Sequence, residues 1–252
     1  MALLREGHRC LVGVDEVGRG AWAGPVVAGA VSIPPEVYAD PAILGDADDS
    51  KRVSAKRRLE LAREVRDVAS AAIGWVDAAM MDAVGATVAT HTAMRCAVAA
   101  LASTGRDGAL EGSGWHARRI AGHAVTADLL LVDGYPIADA PAPQRAIVRG
   151  DRECLAIACA SVVAKVARDA FMVALAHPYP AYGFDRHVGY GTRDHFRTLL
   201  RLGVTPLHRR RFQPMRHLDR CIGRPSPALP PPADQPMGAR GQLALLDVWG
   251  AP

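Results

Sequence analysis

Apolar residues in this chain form short continuous runs, separated by longer segments in which they recur every three or four positions. The first two runs, 11–14 and 26–31, flank a glycine-containing turn and predict a β-hairpin. A third run, 129–132, is apolar without alternation, which is typical of a strand buried on both faces of a sheet. Shorter runs at 71–76 and 144–148 predict further strands, so the pattern indicates a central sheet.

The helical spacing predicts four helical segments between these strands. Ser54 is placed to cap the first of them, and Gly85 interrupts the second, which is therefore one helix or two. The predicted segments are 54–70, 77–102, 153–176 and 192–202. The interleaving of strands and helices predicts an α/β fold in which a mixed central sheet is flanked by helices.

Two segments carry no clear periodic pattern. Residues 103–122 are rich in glycine and polar side chains and are predicted to form a surface loop. Residues 223–252 begin with a proline-rich stretch, which predicts an extended, disordered tail. We therefore expect one folded domain over 1–222, with a helical part at its C-terminal end, followed by the tail.

The composition agrees with a single domain. The chain has 252 residues, 50% of them hydrophobic, and a net charge of +4 that is compatible with a polyanionic partner without requiring one. Its five cysteines include no Cys-x-x-Cys pair, which indicates reduced thiols in a cytoplasmic protein. The N-terminus predicts no signal peptide, and no apolar run has the length of a membrane span. We therefore expect a cytoplasmic protein that contacts no membrane.

Four carboxylates stand at the ends of predicted elements: Asp15, Glu16, Asp133 and Asp151. In an open α/β sheet the functional crevice lies at strand ends, so three distant parts of the chain can deliver acids to one place. Crowded carboxylates are tolerated around cations, and oxygen-only ligands favour Mg²⁺ or Mn²⁺ over zinc. Two such ions suit phosphodiester hydrolysis. Taken singly, Asp133 is more simply a turn residue and Asp151 a helix N-cap, and only the coincidence of four favours a metal site.

Basic and aromatic residues near these acids suit a nucleic-acid groove. The basic positions are Arg19, Lys51, Arg149 and the run 208–211. A run of this kind is ordinarily solvated surface, and only its closeness to a metal site favours phosphate binding. Gly18 and Gly20 can adopt positive φ and allow a ligand close to the main chain. Tyr190 suits stacking on a sugar or base, or half-buried packing.

Together these motifs resemble those of ribonuclease HII, the bacterial type 2 ribonuclease H. The matching segments are GVDEVGRG (13–20), DSK (49–51), VDG (132–134), GD (150–151), ASVVAKVARD (160–169), YGFDRHVGYGT (182–192) and HRR (208–210). They follow the family's order over about residues 10–214, so the resemblance is specific. It implies a ribonuclease H-like fold, with a mixed central sheet flanked by helices and a C-terminal helical segment.

The resemblance also implies roles for individual residues. The family's catalytic, metal-binding carboxylates fall on Asp15, Glu16, Asp133 and Asp151, which would hold two Mg²⁺ or Mn²⁺ ions. Its motif that senses the ribose 2′-hydroxyl through main-chain groups falls on Gly18, Arg19 and Gly20. Phosphate contacts fall on Ser50 and Lys51, and Tyr190 takes the place of the tyrosine that packs on a deoxyribose.

The implied activity is endonucleolytic. The family cuts the phosphodiester 5′ of ribonucleotides in RNA·DNA hybrids and of single ribonucleotides in duplex DNA, leaving a 3′-hydroxyl and a 5′-phosphate. This cut starts ribonucleotide removal during DNA replication and repair. Two other interpretations stay open: a different metal nuclease of the same fold, which would cut all-DNA substrates, and a noncatalytic binder of hybrids. We expect a monomer.

The sequence departs from the family at several positions. Arg149 stands where many relatives have lysine, which keeps the charge but presents a planar fork to a phosphate. Asp46 and Asp48 make the approach to the DSK segment more acidic than in relatives. Asp169 lies four residues after Lys165, which predicts an ion pair within a helix and not a metal ligand.

The tail contains one apolar segment. Gln242, Leu243, Leu245 and Leu246 resemble the short peptide that bacterial replication proteins insert into the sliding clamp. The alternative is a tail without function, or a helix that folds back on the domain. A clamp contact is therefore the one protein partner that the sequence suggests.

Overall fold

The computed structural model describes residues 2–40, 43–44, 54–105 and 109–221. Its strands are β1 (Leu11–Val17), β2 (Val26–Ser32), β3 (Ser70–Val76), β4 (Leu110–Gly112), β5 (Trp115–Ala121), β6 (Leu129–Asp133) and β7 (Gln144–Ile147). Its helices are α1 (Ala2–Arg5), α2 (Pro35–Ala39), α3 (Ala55–Val68), α4 (Ala78–Val84), α5 (Ala86–Ala102), α6 (Gly150–Glu153), α7 (Leu155–Ala176), α8 (Phe184–His187), α9 (Arg193–Leu202) and α10 (Met215–Cys221). A short 3₁₀ helix spans Pro180–Tyr182.

The seven strands form one mixed sheet in the order β4-β5-β3-β2-β1-β6-β7. The chain runs antiparallel from β1 to β2, β3 and β5, whereas β6 and β7 join the other edge in parallel with β1. The predicted hairpin is therefore correct, with Val14 opposite Ala30. The prediction of a mixed sheet is confirmed.

Helices cover both faces of this sheet. Helix α5 packs on one face and the long helix α7 on the other, and each buries its own apolar cluster. Helix α7 lies directly against β1 and β2 because Gly13 and Gly29 have no side chain, and a Cβ at either would overlap the backbone of Ala156 or Ala160. This close approach narrows the space between α7 and the sheet beside Asp15.

Local signals in the sequence set most of the boundaries. The Ser54 hydroxyl accepts a hydrogen bond from Arg57 N, so it caps α3 as predicted. Gly85 separates α4 from α5 with φ of 87°. The predicted helix 153–176 is α7, and a separate single turn, α6, precedes it.

The prediction of a loop over 103–122 is wrong. Strands β4 and β5 occupy this segment and extend the sheet beyond β3. Along β5 the buried residues are Ala117 and Ala121, while most of the others are only partly covered. The edge strand β4 is short and pairs only with residues 115–117 of β5. Strands this close to the edge of a sheet need few apolar residues, so their pattern looks like a loop.

The C-terminal part forms a third apolar cluster around Tyr182, Phe184, Leu207 and Met215. This cluster packs against the end of α7 and against Ala23, in the loop between β1 and β2. The first and last parts of the domain therefore meet beside the β1–β2 turn. Of the helices in the described ranges, none combines the length and the apolar character needed to cross a bilayer.

Candidate active site

Asp15 lies near the end of β1, in the narrow space between the sheet and α7. Its cross-strand neighbour is Gly29, and its side chain is 3% exposed. Oδ1 accepts a hydrogen bond from Glu16 N (2.7 Å), while Oδ2 is buried with no hydrogen-bond partner among the described residues. Burial is the main cause that raises the pKa of Asp15 to about 7, and the charges of Glu16 and Asp133 add to it, against an opposing effect of the Ser161 hydroxyl.

Asp133 ends the neighbouring strand β6, and Asp151 lies in the short helix α6 that follows β7. Strands β1 and β6 pair in parallel up to Val14 and Val132, so Asp133 follows at the same level as Asp15. The Oδ1 of Asp133 accepts a hydrogen bond from Gly150 N (2.7 Å), which brings α6 and the buried Asp151 to this corner. The contact satisfies part of the hydrogen-bonding capacity of Asp133, in keeping with its simpler interpretation as a turn residue. The interpretation of Asp151 as a helix N-cap is wrong, because Asp151 lies within α6 and the N-cap position is taken by Arg149.

The turn that presents Gly150 is strained at Arg149. This exposed residue has φ of 58° and ψ of 36°, a left-handed conformation that is unusual outside glycine and asparagine. The conformation turns the Gly150 N–H toward Asp133 and leaves the arginine side chain in solvent. An exposed arginine therefore stands two residues before the buried Asp151.

Glu16 lies on the other side of Asp15 and lines a cavity of about 230 Å³. Ser161 and Lys165 of α7 line the same cavity, together with Tyr190. The Tyr190 ring is partly exposed and lies under two cations, Lys165 at 5.6 Å and Arg168 at 5.2 Å from the ring centre. The structure therefore brings Tyr190 beside Glu16, although their spacing in the sequence is 174 residues, from 16 to 190.

No ready-made metal centre is formed by these side chains. Across the described ranges, no group of three or more His, Cys, Asp or Glu residues is arranged to hold a metal ion. The charges of Glu16 and Asp133 act on Asp15, and Asp133 binds the N–H of Gly150, the residue before Asp151. The four acids therefore lie around one corner of the sheet without being grouped closely enough to share an ion.

The two glycines of the Gly-Arg-Gly motif differ in what the fold requires of them. Gly18 has φ of 83°, and a Cβ there would overlap the Arg168 side chain. Gly20 is exposed, has no positive φ, and a Cβ there would meet nothing within 4 Å. Packing of the described residues therefore explains glycine at 18 but not at 20. Arg19 between them is exposed and donates to Thr87 Oγ1 (3.3 Å).

The basic run 208–211 is not the solvated groove surface that the sequence predicts. Arg210 and Arg211 are exposed, but His208 and Arg209 are buried, with Arg209 at 0% exposure. The Arg209 guanidinium makes five hydrogen bonds of 2.7–3.0 Å to four main-chain carbonyls in the β1–β2 loop. The sequence of the run gives no signal that Arg209 is buried while Arg210 and Arg211 are exposed.

Arg168 is a second buried arginine that the sequence analysis missed. It donates to the carbonyls of Ala23, Pro25 and Val188 at 2.8–3.1 Å. A signal existed, because Arg168 continues the stripe Ala156, Ala160 and Ala164 that faces the sheet at four-residue spacing. A charged residue on such a stripe indicates a buried side chain with dedicated partners.

Three histidines connect the C-terminal segment to Tyr190. His208 Nδ1 accepts from Thr205 N, so its Nε2 carries the proton and donates to His195 Nε2 (3.0 Å). His195 Nδ1 then donates to the Tyr190 carbonyl (2.9 Å). The ring of His187 stacks on His195 with centroids 4.2 Å apart. This order of protons requires His195 and His208 to be neutral.

Acid is expected to destabilise the protein through these two rings. Burial lowers the pKa of His195 from 6.5 to about 4 and that of His208 to about 3. As the pH falls below 6.5, the unfolded chain binds protons that the folded rings do not. The free energy of unfolding should therefore fall by up to about 1.4 kcal/mol per pH unit for each ring.

Urea unfolding of the wild type and of His195→Gln, followed over the same pH range, measures this effect. The variant lacks one of the titrating rings, so its stability should depend less steeply on pH than that of the wild type. Equal pH dependence in the two proteins would show that His195 is not held neutral.

Several predicted residues fall outside the described part of the chain. These are Ser50 and Lys51, together with Asp46, Asp48 and the tail residues Gln242, Leu243, Leu245 and Leu246. The ion pair predicted within α7 is present, with Lys165 Nζ 2.7 Å from Asp169 Oδ1. The described cysteines Cys10, Cys96, Cys154 and Cys159 form no disulfide with one another.

Comparison with known proteins identifies the family. The sequence profile described as Ribonuclease HII matches residues 12–107 and 116–215. This chain belongs to the ribonuclease HII family. A ribonuclease HII of Roseiflexus castenholzii is 40% identical over 215 residues, which cover 85% of this chain and 86% of that protein. As a ribonuclease HII, the chain is a ribonuclease H enzyme.

Solved structures agree with the ribonuclease HII fold. The ribonuclease H2 of Pyrococcus horikoshii has a TM-score of 0.63 at 19% identity, covering 84% of this chain and 97% of its own. The ribonuclease HII of Archaeoglobus fulgidus, solved in complex with PCNA, has a TM-score of 0.61 at 21% identity, and the match covers 81% of this chain and 95% of that one. A Bst-RNase HIII in complex with Mn²⁺ has a TM-score of 0.61 at 16% identity, and the match covers 83% of this chain and 68% of that one. The predicted ribonuclease H-like fold is therefore correct.

Proposed function

We propose that this ribonuclease HII cleaves the phosphodiester on the 5′ side of ribonucleotides. Its substrates are RNA·DNA hybrids and single ribonucleotides embedded in duplex DNA, and its products carry a 3′-hydroxyl and a 5′-phosphate. The cut starts ribonucleotide removal during DNA replication and repair. The observation that carries this proposal is the buried Oδ2 of Asp15, which has no hydrogen-bond partner among the described residues and lies in a corner of like charges.

The acids at this corner fit divalent cations. All four candidate ligands, Asp15, Glu16, Asp133 and Asp151, offer oxygen atoms, as Mg²⁺ and Mn²⁺ prefer. Bound there, two such ions would activate a water molecule and stabilise the leaving 3′-oxygen. Because the described acids are not yet grouped as a metal centre, they would have to move closer around the ions. The Bst-RNase HIII with a similar fold was solved in complex with Mn²⁺, which supports this choice of ion.

The chain's own residues then bind and orient the nucleic acid. Arg149, exposed two residues before Asp151, contacts phosphates of the backbone, as do Ser50 and Lys51. Tyr190, half-exposed beside the Glu16 cavity, offers its ring to the sugar that follows the ribonucleotide. The 2′-hydroxyl is sensed and is not the nucleophile, which explains a 5′-phosphate product in place of a cyclic phosphate.

Gly-Arg-Gly recognises that 2′-hydroxyl through its main chain. The open space at Gly20 supports this role. Packing within the fold does not require glycine at this position, whereas a ligand that approaches the main chain closely would require it. Recognition by the main chain also explains why the motif lies on a loop held by buried arginines.

Alanine should therefore affect activity at Gly20 and stability at Gly18. Gly20→Ala is expected to fold with the stability of the wild type but to lose about tenfold or more in kcat/KM on a ribonucleotide-containing duplex. Gly18→Ala should lower the free energy of unfolding by about 2 kcal/mol or more, because of its positive φ and its contact with Arg168. Urea unfolding and steady-state cleavage measure the two effects. Full activity of Gly20→Ala would contradict the proposed contact.

One assay tests the proposed function against its rivals. A labelled duplex with a single ribonucleotide is compared with its all-DNA twin, with and without Mg²⁺ or Mn²⁺. We expect metal-dependent cleavage 5′ of the ribonucleotide only. Cleavage of both duplexes would indicate a less specific nuclease of the same fold, and salt-dependent binding without cleavage would indicate a noncatalytic binder.

We further propose that the enzyme works in the cytoplasm as a monomer, with one catalytic domain over 1–222 and a tail over 223–252. The tail residues Gln242, Leu243, Leu245 and Leu246 bind the sliding clamp, and the PCNA complex of the Archaeoglobus relative supports a clamp partner. Deletion of residues 236–252 should abolish clamp binding in a titration and leave cleavage of a free oligonucleotide unchanged.

A further inference from the structure

The loop between β1 and β2 turns nearly all of its carbonyl groups toward the protein interior. Of the eight carbonyl oxygens from Gly18 to Pro25, seven accept a hydrogen bond from a group of Arg168 or Arg209. These seven belong to Gly18, Arg19, Ala21, Trp22, Ala23, Gly24 and Pro25. The carbonyl of Gly20 has no donor among the described residues.

Inward carbonyls imply outward amides. In a trans peptide the C=O of one residue and the N–H of the next point in opposite directions. The Nη1 of Arg209 donates to the carbonyls of Gly18 (2.7 Å) and Arg19 (2.9 Å). The N–H groups of Arg19 and Gly20 therefore point away from Arg209, toward solvent.

Of the loop amides that belong to exposed residues, these two are the ones left available. The N–H of Gly18 also has no acceptor among the described residues, but Gly18 is buried. The next amides all find acceptors: Ala21 donates to Gly18 O, Trp22 and Ala23 to Gly189 O, and Gly24 to Leu207 O. Within the described part of the chain, no acceptor is found for the N–H of Arg19 or of Gly20. Two adjacent unpaired donors at an open position form a place for an oxygen acceptor.

Arginine is suited to this task by its shape. Its planar fork carries five N–H donors in fixed directions, and at Arg209 five hydrogen bonds all go to carbonyls of this loop. Burial and the positive charge of Arg168 lower the pKa of Arg209 to about 9, so two cations held this close are costly to bury. Lysine would keep the charge but could not reach these carbonyls in the same geometry.

We propose that Arg209 is a positioning residue for ribonucleotide recognition. By holding the carbonyls of Gly18 and Arg19 inward, it aims the N–H groups of Arg19 and Gly20 at the ribose 2′-hydroxyl. Arg209 does not contact the substrate and acts through the loop. The inference rests on the proposed function, in which this motif senses that hydroxyl, and assigns the geometry of the sensor to a residue from the far end of the domain.

Discrimination in binding separates this role from general structural support. The dissociation constants of a duplex with one ribonucleotide and of its all-DNA twin are measured in Ca²⁺, for the wild type, Arg209→Lys and Arg216→Lys. Arg216 is the matched control, since it is an exposed arginine of the same C-terminal segment with no proposed contact to nucleic acid. The preference of the wild type for the ribonucleotide should fall about tenfold in Arg209→Lys, with affinity for all-DNA within about twofold of wild type. Arg216→Lys should keep the preference.

Each result has a distinct meaning. If the wild type shows no preference, the proposed function fails before the inference is reached. If the wild type discriminates and Arg209→Lys discriminates equally, or loses affinity for both duplexes alike, Arg209 does not position the sensor.

A measurement on the wild type keeps the inference testable even if Arg209→Lys does not fold. Backbone hydrogen exchange, read by NMR on the free protein, should be fast at Arg19 and Gly20 and slow at Trp22, Ala23 and Gly24. Protection of Arg19 and Gly20 equal to that of the other three would overturn the proposal, because their amides would already be bonded.

Discussion

Replacement of Asp133 by asparagine should abolish cleavage of a ribonucleotide-containing duplex while leaving its binding nearly unchanged. The variant keeps an oxygen that can accept from Gly150 N, so the turn into α6 should persist. It loses one negative charge at the proposed cation site and no basic contact with the phosphates. We expect kcat to fall by on the order of 1000-fold or more, with Kd within about threefold of wild type.

Asp139→Asn is the control for this substitution. Asp139 lies in the β6–β7 connection that follows Asp133, and its side chain is 94% exposed and pairs with Arg95 at 3.6 Å. Single-turnover cleavage and filter binding on both variants separate chemistry from affinity. Normal turnover by Asp133→Asn would refute the assignment of the four carboxylates, whereas a loss in Asp139→Asn would point to a general effect of charge.

Asp15→Asn should also abolish cleavage, and it should make the metal-free protein more stable. At neutral pH and above, the wild type holds a buried carboxylate next to two others. The pKa of Asp15 is about 7 in the folded protein, against an ordinary value of 3.8. The contribution of Asp15 to the free energy of unfolding is therefore highest below pH 3.8, where the acid is protonated in both states, and it falls as the pH rises to about 7, because only the unfolded chain gives up the proton. Asparagine does not titrate, so its advantage should reach roughly 2–4 kcal/mol at alkaline pH.

Urea unfolding in EDTA at acidic and alkaline pH measures that advantage. The gain of Asp15→Asn over the wild type should be small at low pH and large at high pH. Asp128→Asn is the control, because the pKa of Asp128 is shifted in the opposite direction to that of Asp15. Hydrogen bonds from the main-chain N–H groups of Arg9 and Cys10 lower that pKa. Its loss of charge should not stabilise the protein. An Asp15→Asn protein that is less stable than the wild type at alkaline pH would contradict the picture of repelling acids.

The sequence predicts those parts of the fold that depend on local patterns. The apolar runs give β1, β2 and β6, the Ser54 cap gives the start of α3, and Gly85 gives the break between α4 and α5. The acids are found because they follow the ends of apolar runs. Each of these features is set by a few residues that are neighbours in the sequence, so sequence patterns are sufficient to predict it.

The features that sequence patterns miss depend on contacts between distant residues. Strand β5 is held by pairing with β3, so residues such as His116 and Arg119 need no apolar pattern. The burial of Arg209 depends on carbonyls 185 to 191 positions earlier in the chain. Whether Arg209 or Arg210 turns inward is decided by the path of the whole C-terminal segment. That path includes the hydrogen bonds that the N–H groups of Arg210 and Arg211 donate to the Asp82 carboxylate.

The dependence of the β1–β2 loop on Arg209 has a consequence for synthesis of the protein. During translation the loop emerges from the ribosome early, but the side chain that orients its peptide groups emerges last of all the parts of the site. A nascent or truncated chain that stops before residue 209 therefore carries all four acids without an ordered sensor. On the proposal that Arg209 positions this loop, selectivity for ribonucleotides would be acquired only when the domain is nearly complete.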